Sequence, residues 1–476
     1  MINLDKLLEI GIELTREKDV ERLLEKILNV AMEITNCDGG TLYTLSENYL
    51  NFKIMITKSK NVLKGCSHGE ITLPPVPMKK NNVCSCSAIE KKLINIADVY
   101  SSSEYDFSGP KKYDSMTGYK TKSMLVVPME DDQGDIIGVL QLINSMTKAG
   151  EIVPFNKEYN KVISSLASQV AISLSNMNRS KEISVLLDSF VRVMSTAIDE
   201  RTPYNARHTR NMVKYGTDFV NWLEGNSARY AFSDSRKKEF IMSIWLHDVG
   251  KLLIPLEIMD KQSRLGDKIS DLRRKFEIAH LKNKIEYLET NNKEVYDKFK
   301  SKLDDALELI EQVNVLGYLN DEILDKVSSL TKLTISPNEN ERLLNDYEIT
   351  ALSIRKGTLT SDERKIMESH VVMTEKILSQ IQFSKNYKNV TYIASSHHEF
   401  LDGNGYPKGM LAEDIPDEVR ILTILDIYEA LTAVDRPYKK SIEPEKAFKI
   451  LYEMAEDGKL DKNILDLFKK SCVWKR

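Results

Sequence analysis

The stretch SSHHEFLDGNGYPKG, residues 395–409, constrains this chain more than any other feature. It sets His397 and His398 side by side, followed by Glu399, Asp402, Gly403, Gly405, Tyr406 and Pro407. The glycines permit a tight turn that brings backbone close to a ligand. On a helix, neighbouring side chains point about 100° apart, so the two imidazoles can serve different ions of a metal pair.

Histidine is scarce in the remaining sequence. The seven are His68, His208, His247, His280, His370, His397 and His398. In SIWLHDVGKLLIP, residues 243–255, an apolar run precedes His247-Asp248, which predicts a buried helix with the pair near its C-terminal end. His247 and Lys251 are four apart, the spacing of one helix face. A carboxylate has two oxygens, so Asp248 can bridge two metals while imidazoles complete each site. His68 and His280 lack motif partners and read as ordinary residues.

Length and composition set the frame for these motifs. A chain of 476 residues predicts two or three domains, and 42% hydrophobic with 29% charged residues is enough to bury them. A net charge of −4 excludes a basic face for a nucleic-acid polymer. A phosphate-bearing substrate must then be held by local cations or metals. The amphipathic N-terminus lacks the pattern of a secretory signal, and no apolar run is long enough to span a bilayer. A cytoplasmic protein without membrane insertion is expected. Five cysteines, Cys37, Cys66, Cys84, Cys86 and Cys472, are odd in number and lack CxxC spacing, which argues against a disulfide framework. Cys84 and Cys86 read as a loop pair, either core or accessible thiols or ligands.

The first part of the chain opens on a helical pattern at Leu7, Leu8, Ile12 and Leu14, continued from Val20 to Met32. Residues 40–44 and 50–57 read as strands. Residues 123–129 and 136–144 read as a hairpin around the polar connector at 130–135. Residues 156–200 read as one long helix, with Ile163, Leu166, Val170, Leu174 and Met177 and then Ile183, Leu186, Phe190, Val193 and Ala197 on a stripe. Such a helix is a natural dimer seam, or each half packs on its own domain. Residues 266–350 are dense in Lys and Glu. Their apolar stripes run through Ile269, Leu272, Phe276, Leu281, Ile285 and Leu288, and through Tyr296, Phe299, Leu303, Leu307 and Ile310. Asn291-Asn292 is a turn between them, so a helical hairpin is predicted.

Two resemblances follow from these motifs. The helix, the strand CDGGTLYT, the segment SMLVVPMEDDQGDIIGVLQLIN and the closing helix resemble a GAF domain over residues 1–175. That resemblance implies a mixed-sheet sensor, with a ligand that the residues do not specify. The C-terminal motifs resemble the HD-GYP family, the cyclic-di-GMP-degrading branch of the HD hydrolases, over about residues 190–265 and 350–465. PYNARHTR places His208, KGTLTSDERKIMESHVVMTEKIL places His370, and EVRILTILDIYEALTAVDRPYKK places Asp426. The implied fold is an α+β GAF sensor at 1–175, a connecting helix at 156–200, and an all-α HD-type hydrolase domain at 185–476 with an insertion at 266–350.

The resemblance also implies a chemistry. The metal ligands carried over are His208, His247, Asp248, His370, His397, His398 and Asp426, holding two divalent ions, iron or manganese. A bridging hydroxide made available near neutral pH would attack phosphorus in line with the leaving 3′ oxygen. Asp248 and Lys251 carry catalytic roles. Lys251, Tyr406, Arg436 and Lys439 are the expected substrate contacts. Lys251 and Arg436 have structural ion pairing as their alternative, and Tyr406 has core packing. Tyr204 stands where some members place a third-metal Glu, which favours two ions. The expected activity is hydrolysis of cyclic-di-GMP to the linear dinucleotide or GMP, controlled by the GAF segment in a homodimer. The alternatives are another cyclic dinucleotide as substrate, or a catalytically silent receptor. The insertion is expected to serve as a lid, a dimer element or a partner surface.

Overall fold

The computed structural model describes residues 19–201, 207–433 and 441–475. The helical pattern at Leu7–Leu14, together with Tyr204, Arg436 and Lys439, lies outside the described residues. The chain divides into two compact units, Met1–Leu187 and Asp188–Arg476.

In the first unit, α1 (Val20–Ile34) starts where the Asp19 side chain accepts from the Glu21 and Arg22 amides. These are donors that a helix start leaves unpaired. There follow β1 (Cys37–Ser46), β2 (Tyr49–Thr57), β3 (Val62–Gly65), β4 (Val76–Pro77), α2 (Val83–Glu90), β5 (Ile94–Ile96), α3 (Ser108–Thr117), β6 (Met124–Glu130), β7 (Ile136–Met146) and β8 (Ile152–Val153). The strands form one antiparallel sheet in the order β3-β2-β1-β7-β6-β5, with β4 pairing β2 and β8 pairing β7. The expected β6–β7 hairpin forms, and the Asp131 carboxylate accepts from the Gln133 and Asp135 amides in its turn.

One sheet face buries Leu24, Ile27 and Leu28 of α1 with Ile163, Leu166 and Val170 of α4 (Glu158–Asp199). The other buries Val83, Cys84 and Cys86 against Tyr43, Val126 and Val139. The cysteine pair therefore sits on α2 and not in a loop. Both thiols are buried, and burial pushes Cys84 up to about 12. A protonated thiol packed on a sheet is a core residue, not a ligand.

The second unit is helical: α5 (His208–Asn226), α6 (Asp234–Leu246), a 3-10 turn (Val249–Leu253), α7 (Leu256–Met259), α8 (Lys268–Thr290), α9 (Lys293–Val315), α10 (Asp321–Ser329), α11 (Asp346–Leu352), α12 (Ser361–Glu368), α13 (His370–Leu378), α14 (Val390–Ala394), α15 (Asp417–Thr432), α16 (Pro444–Glu456) and α17 (Lys462–Ser471). Its main core joins Phe219 and Val220 of α5, Phe240 and Ile244 of α6, and Leu422, Leu425 and Tyr428 of α15 with Phe448 and Phe468. No helix among the described residues is long and apolar enough to cross a membrane.

Helices α8–α11 build a separate core inside the insertion, centred on Leu272, Phe276, Leu303 and Ile310. The hairpin turn falls at Asn291, which adopts the left-handed conformation, and the Asn292 side chain caps α9. Only part of the α8 stripe packs inward. Leu281, Ile285 and Leu288 face solvent, and α8 buries Leu272, Phe276, Ala279 and Asn283 instead. Periodicity marks an apolar stripe correctly, but α8 carries two such stripes and only one meets α9.

Candidate metal centre

The site is built from helix ends. His208 is the first residue of α5, and His247 follows the last residue of α6. His370 opens α13. His397 and His398 lie in the turn after α14, not on a helix as expected. Asp426 projects from α15. His247 and Lys251 likewise do not share a helix face, because the chain tightens into a 3-10 turn at Val249. That turn brings the Lys251 ammonium to 2.5 Å from Asp248 Oδ2.

Close backbone packing fixes these ends. A Cβ on Gly250 would lie 1.9 Å from the His370 carbonyl oxygen, so only glycine lets the 3-10 turn and α13 approach. The Gly250 amide donates to Thr374 Oγ1, and that hydroxyl donates to the His247 carbonyl. Thr423 Oγ1 donates to the His397 carbonyl. The buried Glu399 carboxylate accepts from the Lys408 and Met410 amides at 2.7 and 2.9 Å. It thereby closes the glycine-rich loop and sets the Tyr406 ring 4.8 Å from that of His398.

The imidazole orientations decide what the cluster can bind. Nδ1 of His247, His370 and His397 each stands 2.7 Å from the backbone carbonyl three residues earlier. A carbonyl only accepts, so each Nδ1 carries the proton and each Nε2 presents a lone pair. His208 Nδ1 contacts the buried Glu429 carboxylate in the same manner. The Nε2 atoms converge. His208 and His247 bring theirs to 3.3 Å, and His370 and His397 to 3.4 Å. In the second pair both nitrogens are acceptors, and acceptors this close repel unless a cation lies between them.

Asp248 sits between the two pairs. Its Oδ2 is 3.2 Å from His247 Nε2 and 3.6 Å from His208 Nε2. Its Oδ1 is 3.6 Å from His370 Nε2 and 3.9 Å from His397 Nε2. Oδ1 is buried without a hydrogen-bond partner, which is costly unless something positive meets it. Asp426 completes the arrangement, with Oδ1 3.4 Å from His208 Nε2 and Oδ2 3.8 Å from His398 Nδ1. Among the described residues, three groups have ligand atoms mutually within 4.8 Å: His208, His247 and Asp426; His247, Asp248 and His397; and His370, His397 and His398.

Protonation suits ligation. Burial alone would raise the Asp248 carboxyl, yet His247 and Lys251 beside it hold it well below the usual carboxylate range. Asp426 is likewise held down by His208 and His398 against its burial. Burial lowers His370 and His397, and it lowers His398 to about 4, so these imidazoles are neutral near pH 7. For His208, burial is outweighed by Asp426 and Glu429, which lift it to about 10. A bound cation would displace that proton. Anionic oxygens and neutral imidazole nitrogens converge here, and the buried His/Asp clusters are consistent with a metal site.

His68 pairs with Glu25 and His280 with Asp304, and neither joins the cluster. Sequence reasoning missed Glu429, three residues beyond Asp426 and therefore on the same face of α15. It also missed Thr374, Thr423 and the structural use of Glu399. Arg201, which donates to the Lys251 and Ile254 carbonyls and braces the 3-10 turn, carried no sequence signal.

Comparison with known proteins matches each unit to a domain family. The GAF domain family matches residues 19–174, and the HD domain family matches residues 347–464. The HD match contains His370, His397, His398 and Asp426. His208, His247 and Asp248 precede it in sequence, across the insertion, and stand beside it in space. The 3′3′-cGAMP-specific phosphodiesterase 3 of Vibrio cholerae is 36% identical over 103 residues, 22% of this chain and 22% of that protein. The cyclic di-GMP phosphodiesterase response regulator RpfG of Xanthomonas campestris is 37% identical over 107 residues, 22% of this chain and 27% of that one. The cyclic di-GMP phosphodiesterase of Thermotoga maritima is 24% identical over 232 residues, 43% of this chain and 62% of that one. The chain thus spans less than two thirds of each relative's length. It joins an N-terminal GAF domain to a C-terminal HD domain, and its distant homologues include HD-GYP cyclic-di-GMP phosphodiesterases.

Proposed function

We propose that this protein is a metal-dependent phosphodiesterase that opens cyclic-di-GMP to the linear dinucleotide or GMP. The observation that carries the proposal is Asp248, one carboxylate facing two sets of imidazole nitrogens with an oxygen that has no hydrogen-bond partner. In this reading His208, His247, Asp248 and Asp426 hold one divalent ion, and His370, His397, His398 and Asp248 hold the other. Iron or manganese suits this mixture of imidazole and carboxylate. Such ions supply Lewis acidity toward phosphoryl oxygens and a nucleophile at neutral pH.

The chain's own groups have distinct tasks. The carbonyls of Ile244, Met367 and Ala394 fix the tautomers of three imidazoles. Glu429 does so for His208. Lys251, 21% exposed and paired with Asp248, is placed to orient the phosphate or to protonate the leaving 3′ oxygen. The Tyr406 ring borders the same space and offers a face to a base. Arg436 and Lys439 are proposed phosphate contacts. The GAF unit would set the output through its own ligand. Ile183, Leu186, Phe190 and Val193 are exposed on α4 at spacings of three and four, which supports a homodimer seam there.

A second reading keeps the chemistry and changes the substrate to 3′3′-cGAMP, on the strength of the Vibrio relative. Protein prepared anaerobically under reducing conditions and offered each dinucleotide separates the two readings by product. His247→Ala and Asp248→Ala are expected to lower turnover below detection for either substrate. A metal-loaded preparation that binds both and cleaves neither would leave only a receptor.

A further inference from the structure

Helix α8 is apolar on two opposite faces. Leu272, Phe276, Ala279 and Asn283 are buried in the insertion's own core. On the far side Ile278, Leu281, Ile285 and Leu288 are 49, 61, 55 and 71% exposed. A helix that is apolar on both sides has something to cover on both sides.

The exposed stripe has a definite grammar. Its spacings of three, four and three are those of alternating a and d positions in a heptad. The residues at a are Ile278 and Ile285, and those at d are Leu281 and Leu288. Isoleucine at a with leucine at d is the combination that favours two parallel strands. The flanking charges agree. In a parallel pair each g residue faces the e residue five positions on in the other strand. Here that sets Glu277 against Lys282, and Lys284 against Glu289, opposite charges both times. An antiparallel pair would instead bring Lys284 against its own copy across the axis. Lys282 meanwhile pairs within its own chain with Glu339, at 2.9 and 2.7 Å, and would share or exchange that partner.

We propose that the insertion is a self-association element in which α8 of two copies forms a parallel, in-register coiled coil through residues 277–289. Two heptads are too short to pair as a free peptide. Here the helix is already ordered by its buried face, so docking does not bear the cost of forming it. The inference stands on the insertion alone and does not depend on the phosphodiesterase reading or on the α4 seam.

Cross-linking of the full chain tests it. With Cys66 and Cys472 replaced by serine, Leu281→Cys and Ile285→Cys are each expected to form a covalent dimer on mild oxidation, because in-register parallel strands place each residue beside its own copy. Adding Glu277→Lys should lower the yield several-fold, and adding Lys282→Glu as well should restore it. An α4-only dimer gives no cross-link at either position, and a heterologous partner on this face gives none either. An antiparallel seam links only a mixture of the two cysteine variants. Any of these three results overturns the proposal.

Discussion

At the residue scale, the cluster works because second partners aim the first. Glu429 is the sharpest case. It is buried, faces His208 Nδ1, and accepts from the Asn211 side-chain amide at 3.0 Å. Such partners fix ring orientation and raise ligand basicity, and losing one typically costs roughly 10–100-fold in metal affinity. Glu429→Gln should therefore weaken metal binding by about that factor, measured by competition with a chelator, while leaving the circular dichroism of the metal-free protein unchanged. Unaltered metal affinity would remove Glu429 from the account. This residue also shows where the sequence stops being informative. The HD and HH pairs set imidazole beside carboxylate and imidazole beside imidazole, combinations suited to holding a cation, so their convergence is legible. A lone glutamate on a helix suits many roles, and only the fold shows which imidazole it meets. The turn that carries His397 and His398 is hidden for a related reason. Residue type fixes what a group can ligate, but local backbone decides whether two neighbours diverge as on a helix or as in a turn.

At the scale of elements, one buried residue joins three parts of the insertion. Arg264 is fully buried just before α8, and it donates to the carbonyls of Val313 at 2.6 Å, Ile354 at 2.9 Å and Leu316. It therefore ties the start of the insertion to the C-terminal end of α9 and to the chain beyond α11. The carbonyl ends of α9 offer the partial negative charge that a guanidinium without a carboxylate needs. Arg264→Met should leave the Ile354 and Leu316 carbonyls without their donor, while Val313 keeps the Leu316 amide, and destabilise the insertion by about 3 kcal/mol, read as faster amide exchange across α8 and α9. A loss below about 1 kcal/mol would show that solvent takes over the role of Arg264. The hairpin itself is readable from its stripes and its Asn-Asn turn. Which stripe packs inward is not, because periodicity gives the direction of a face and not its neighbour. Leu281, Ile285 and Leu288 read as one apolar stripe with Leu272 and Phe276, although they face solvent.

At the scale of the molecule, the chain divides into two units that each bury cores of their own. The sheet unit buries its own side chains on both faces, and the helical unit gathers the candidate ligands from four helix ends or turns and the middle of α15. The insertion separates His247 from His370 by more than a hundred positions, yet Asp248 Oδ1 is 3.6 Å from His370 Nε2. The fold class is readable because the alternating strand pattern is confined to the first unit, where helices flank it, and the helical period alone runs through the second. The central claim is that this convergence is a two-metal centre that cleaves a cyclic dinucleotide. The most direct measurement is metal content per chain on anaerobically purified protein, followed by turnover of cyclic-di-GMP before and after chelation. The account predicts two ions of iron or manganese per chain, no turnover once they are removed, and recovery when they return. Folded protein that binds no metal, or that keeps cleaving after the metal is gone, would contradict it.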